Sequence, residues 1–69
     1  MTDTKKLREI IARKGVKYKI LAESIGITPY ALQRKIDNER EFKASEIVGL
    51  SDFLGLTPGE RTEIFLMQK

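Results

Sequence analysis

The chain has 69 residues, 33% of them charged and 41% hydrophobic, with no cysteine and no histidine. That length allows one small domain near the lower limit at which a single apolar core holds unaided, and the missing residue types exclude disulfides, thiolate chemistry and the common zinc sites. The formal charge of +3 is unevenly spread: residues 1–35 carry nine Lys/Arg against three acids, a balance of +6, and residues 36–69 carry four against seven, a balance of −3.

The first helix is expected to start after Asp3 or Thr4, both able to cap free amides, with Leu7, Ile10 and Ile11 as one apolar stripe and Gly15 as its end. A second helix runs from about Lys17 to Ile25 with Leu21, Ala22 and Ile25 inward, Ala22 being small where a third helix should cross. Gly26 follows at the turn, where a positive φ would cost a larger side chain more.

The third helix has the clearest start. Thr28 is a good N-cap, Pro29 falls where its missing N–H does no harm, and Ile27 and Leu32 flank the cap at staple spacing. Leu32 and Ile36 face inward, which leaves Pro29, Tyr30, Gln33 and Arg34 on the outer face. Asp37 to Glu41 reads as a polar loop.

A fourth helix is expected over Ala44–Leu54, with Ile47, Leu50 and Leu54 inward and Val48 or Phe53 beside them. The residue at its cap, Lys43, cannot accept from a backbone amide. Gly49 inside it should cost about 1 kcal/mol relative to Ala, so either another backbone packs closely there or the helix is weak. Gly55 ends it, and Thr57-Pro58-Gly59-Glu60 opens a fifth helix, about 58–67, with capping-box spacing. Its end, Ile64 to Met67, is far too short an apolar run to span a bilayer. Those four adjacent residues also point around more than one face, so one core should not cover them all. With no secretory signal or linker visible, the expectation is a single all-α domain of five helices, cytoplasmic and without membrane contact.

Two short amphipathic helices joined at a glycine, the second with an exposed polar face, form a helix-turn-helix over about 17–37. The pattern Leu21-Ala22, Ile25-Gly26-Ile27, Thr28-Pro29, Leu32 and Ile36 resembles the lambda-repressor/Cro-like helix-turn-helix family of small phage-type transcriptional regulators. The loop Asp37–Phe42, then Ser45-Glu46-Ile47 and Leu54-Gly55-Leu56, resembles it too, so the likeness covers roughly residues 5 to 57. The Leu56-Thr57-Pro58-Gly59-Glu60 segment is similar, more loosely, to small phage-encoded members.

The resemblance implies double-stranded DNA as partner, with the third helix, about 28–37, in the major groove. Tyr30, Gln33 and Arg34 would then meet bases. Gln33 suits adenine and Arg34 suits guanine or a phosphate, while Tyr30 suits a thymine methyl or, through its hydroxyl, a phosphate. Lys17, Tyr18, Lys19, Thr28, Asn38, Arg40 and Lys43 would meet the sugar-phosphate backbone. Two departures stand out: Tyr18 and Pro29 hold places where many members carry glutamine, so base reading must shift to Tyr30, Gln33 and Arg34. Arg34 could instead lean back toward Asp37 or Glu23. A repressor or Cro-like role in a bacterial or phage-infected cell is implied, as a homodimer with Phe65, Leu66 and Met67 as the candidate interface. The alternative is a protein-interaction module of the same fold that binds another regulator as antirepressor or co-repressor. No enzyme, cofactor or metal is expected, because the chain lacks histidine, cysteine, a glycine-rich phosphate cradle and an evident carboxylate pair.

Overall fold

A computed structural model describes residues 2–65 as five helices with no strand among them: α1 Thr4–Lys14, α2 Tyr18–Ser24, α3 Pro29–Ile36, α4 Ala44–Leu54 and α5 Pro58–Phe65. None is long and apolar enough to cross a membrane. The all-α, five-helix expectation holds, and α2 is one residue shorter at each end than the periodicity suggested because Lys17 and Ile25 are its caps.

Three of the helices, α1, α3 and α5, start on a side-chain cap that their sequence offers. The Asp3 carboxylate accepts from Lys6 N at 3.1 Å, Thr28 Oγ1 accepts from Ala31 N at 3.1 Å, and Thr57 and Glu60 close a reciprocal capping box. At α4, Lys43 makes no side-chain cap, and only the reverse half of a box forms: Glu46 Oε1 accepts from Lys43 N at 2.8 Å.

Helix ends are equally regular. After α2, Gly26 at φ 75° lets its own N–H donate to Glu23 O and lets Ile27 N donate to Ala22 O, which satisfies the last carbonyls and folds the chain into the turn. α3 ends the same way on a non-glycine residue, Asn38 at φ 64°. Its N–H donates to Lys35 O, and Glu39 N donates to Arg34 O at 2.9 Å.

α1 packs against α3, α4 and α5, while α2 packs against α3 and α4. The core joins Leu7, Ile10 and Ile11 of α1, Leu21 and Ala22 of α2, Leu32 and Ile36 of α3, and Leu50 and Leu54 of α4. Phe42, Ile64 and Phe65 complete it. Each fully buried leucine or isoleucine among these contributes about 1.5–3 kcal/mol of transfer free energy.

Three expectations need correcting. The buried face of α4 is Glu46, Leu50, Ser51 and Leu54, which leaves Val48 and Phe53 exposed at 43% and 46% and Ile47 only partly covered. Glu46 shares the inward face with Leu50 and Leu54 and there meets Lys35. Gly49 is needed because a Cβ there would lie 2.8 Å from Ile25 Cγ2, so it is a side chain at the end of α2, not a backbone, that demands the glycine. Phe65, a candidate for a dimer surface, is 5% exposed and packs edge-to-face on Phe42 with ring centroids 5.6 Å apart. The α5 end folds back onto its own core and leaves almost none of that ring to offer a partner. Leu66 and Met67, the other two candidates, lie outside the described residues.

Candidate nucleic-acid interface

The outer face of α3 follows from its inner one. With Leu32 and Ile36 fully buried, helical spacing turns Tyr30 and Gln33 outward, and Tyr30 is 65% exposed. Arg34 sits between the two faces with a third of its side chain accessible. Pro29 and Thr28 start the helix at its exposed tip.

The three candidate base-reading residues are not free. One guanidinium nitrogen of Arg34, Nη1, donates to Tyr30 Oη, and the guanidinium carbon lies 5.3 Å from the Tyr30 ring centroid. The other, Nη2, is 3.2 Å from Glu39 Oε1. Arg34 therefore pairs with Glu39 rather than with Asp37 or Glu23, because the left-handed turn at Asn38 folds Glu39 back over α3. Gln33 Nε2 donates to Asp37 Oδ2 at 3.3 Å. Asp37 in turn accepts from Arg8 of α1. That hydrogen bond from Arg8, assisted by the one from Gln33, holds the Asp37 carboxyl below the usual carboxylate range, and the same bond raises Arg8. An acid at a helix C-terminus opposes the helix dipole, and the Arg8 charge offsets that.

A second ion pair fixes α3 against α4. Lys35 Nζ reaches both carboxylate oxygens of Glu46, at 2.6 and 2.7 Å, with the two side chains only 9% and 7% exposed. Burial pushes the Glu46 carboxyl up, but the bonds from Lys35 Nζ and Lys43 N outweigh it and leave it below its ordinary value. Neither residue stood out in the sequence. The available signal was positional: Lys35 is three residues after Leu32, on the inward stripe.

The backbone-contact candidates divide. Lys17 and Lys19 are exposed at the start of α2 and take part in no ion pair among the described residues, whereas Tyr18 between them is half-buried against the core. Thr28 uses one of its two oxygen lone pairs on the cap and keeps its hydroxyl hydrogen. Arg40 and Lys43 are exposed around the α3–α4 loop. Asn38 departs from the phosphate role expected of it. Its Oδ1 accepts from Thr2 N at 2.8 Å, and its Nδ2 donates to Thr2 O and Thr4 Oγ1. Its amide ties the N-terminal segment to the end of α3, and Asp3 N donating to Ile64 O extends that tie to α5.

The charge asymmetry along the chain also has a different meaning in space. Five bases of the first half, Lys6, Arg8, Arg13, Arg34 and Lys35, pair with five acids of the second: Glu63, Asp37, Glu60, Glu39 and Glu46. The halves interleave instead of forming two poles, and the cations left over at the front edge of α2 are Lys17 and Lys19.

Among the described residues no group of three or more carboxylate, imidazole or thiol side chains could hold a metal ion. A family model described as Cro/C1-type HTH DNA-binding domain matches residues 6–63. No curated protein and no solved structure matches the chain.

Proposed function

Because this chain belongs to the Cro/C1-type helix-turn-helix DNA-binding family, we propose that it is a sequence-specific transcriptional regulator of the repressor or Cro-like kind. α3 lies in the major groove and Tyr30, Gln33 and Arg34 meet base edges. The observation that carries this most directly is the exposed polar face of α3, together with exposed Lys17 and Lys19 at the start of α2, which form no ion pair among the described residues. Phosphates on either side of the groove then meet Lys17, Lys19, Arg40, Lys43 and the Thr28 hydroxyl, while bases meet α3. Cytoplasmic residence and a phage-type origin fit this role. One such module offers few base contacts, so two copies act on a two-fold operator, blocking the promoter it overlaps.

Selection of duplexes from a random pool, followed by fluorescence anisotropy across a salt series, tests the proposal. Four cations on phosphates give a slope of log affinity against log salt of roughly −3 to −4 per copy, at about 0.9 per phosphate neutralised. Absence of duplex affinity at low salt would refute DNA binding and favour a module that docks on another regulator.

A further inference from the structure

We infer that Glu39 is a specificity-determining residue that holds Arg34 as a reader of guanine and keeps it off the phosphates. The inference rests on the DNA-binding function proposed above and adds to it a residue that touches no DNA. Three observations converge on Glu39. Its carboxylate is 3.2 Å from Arg34 Nη2, and its backbone N–H donates to Arg34 O at 2.9 Å, so it is anchored to that residue twice. On the other side the Arg34 guanidinium is bonded to Tyr30 Oη and lies over the Tyr30 ring. The turn that brings Glu39 there is held in its left-handed form by the Asn38 amide, itself bonded to Thr2 and Thr4.

An arginine side chain of ordinary mobility would swing to the nearest phosphate, a contact without sequence information. Here the guanidinium plane is fixed from two sides. Nη1 gives one of its two hydrogens to Tyr30 Oη and Nη2 is ion-paired to Glu39, so both terminal nitrogens keep hydrogen for an outside acceptor. Two parallel donors held in a plane match the O6 and N7 acceptors of guanine. The Arg34 Nε is shut away without an acceptor, so the outward-facing pair is the terminal one. The Glu39 charge, half exposed beside Arg34, also repels any phosphate approaching that guanidinium. Glu39 therefore weakens binding to all DNA while sharpening the choice of base.

The test compares wild type, Glu39→Gln, Arg34→Ala and the double variant in duplex selection and in anisotropy over a salt series, with circular dichroism to confirm folding. Glu39 is exposed on a loop, so folding should persist. In Glu39→Gln the affinity for random duplex is expected to rise severalfold, and the salt slope to steepen by about one as Arg34 gains a phosphate. Preference for guanine at one half-site position should fall by roughly fivefold or more, the lower end for one bidentate contact. In the Arg34→Ala background, Glu39→Gln should leave base preference unchanged, an outcome that a merely structural role for Glu39 does not predict. If wild type selects a site and Glu39→Gln selects it with the same guanine preference and slope, the inference is overturned and the proposed function stands. If wild type binds no duplex, both fall.

Discussion

Replacing Lys35 with methionine isolates the buried ion pair that locks α3 to α4. The substitution keeps the length and apolar stem of the side chain but removes the ammonium that bonds both oxygens of Glu46. Glu46, 6% exposed, then retains only the Lys43 N–H as a partner. Stranding one member of a buried pair costs about 3–5 kcal/mol. A 69-residue domain has a total stability of roughly 3–10 kcal/mol, so Lys35→Met removes a large share of it and lowers the Tm by about 12–40 °C. The double variant Lys35→Met/Glu46→Leu removes both charges and should return most of the loss. The pH dependence supplies a sign check. In the wild type the folded Glu46 carboxyl sits below its unfolded value, so its contribution is present above the unfolded pKa and lost as pH falls through the folded one. In Lys35→Met burial dominates and raises the folded pKa above the unfolded one, so Glu46 becomes a liability that acid relieves. Urea titrations of the three proteins between about pH 3.5 and 7 measure this, the lower limit lying just under the carboxylate reference values. A loss under about 1 kcal/mol at neutral pH, or a loss that grows on acidification, would refute the account.

Phe65→Ala should cost about 3–5 kcal/mol through the cavity it opens against Phe42, with a Tm independent of protein concentration; a concentration-dependent Tm difference would place the ring in an intersubunit contact instead. Asn38→Ala should lose about 1–3 kcal/mol, combining an unfavourable left-handed backbone with the severed bonds to Thr2 and Thr4. Asn38→Gly, which keeps the turn but not the bonds, should lose less by denaturant titration. Lys17→Ala and Lys19→Ala should each flatten the salt slope of duplex binding by about one, equally for all sequences, with stability unchanged.

Much of this molecule is written locally. Thr28-Pro29, Thr57-Pro58-Gly59-Glu60, Gly15, Gly26 and Gly55 each act on backbone groups a few residues away, so caps and ends could be placed from the sequence within a residue. Leu21, Ala22, Leu32 and Ile36 were legible for a related reason: helical periodicity assigns an apolar stripe inward whatever it packs against. The outward face of α3, with Tyr30 and Gln33, follows as the complement of that stripe.

What local rules could not supply are interactions between charges far apart in the chain. Arg8 with Asp37 and Lys6 with Glu63 are pairings that any of several acids could have made, and only the packing of α1 against α3 and α5 chose them, while Lys35 with Glu46 depends on how α3 meets α4. On α4 the apolar stripe placed Leu50 and Leu54 rightly, but Glu46 rather than Val48 or Phe53 shares the buried face with them, to meet Lys35. Asn38 looked like a loop residue free for phosphate, but its amide is bonded to Thr2 and Thr4 of the N-terminal segment. Five helices, the caps of α1, α3 and α5 and the face α3 shows are legible in the local pattern, because backbone bonding and periodicity are short-range. How the charges of the two halves cancel is settled only in the folded chain, because Coulombic partners are selected by distance in space.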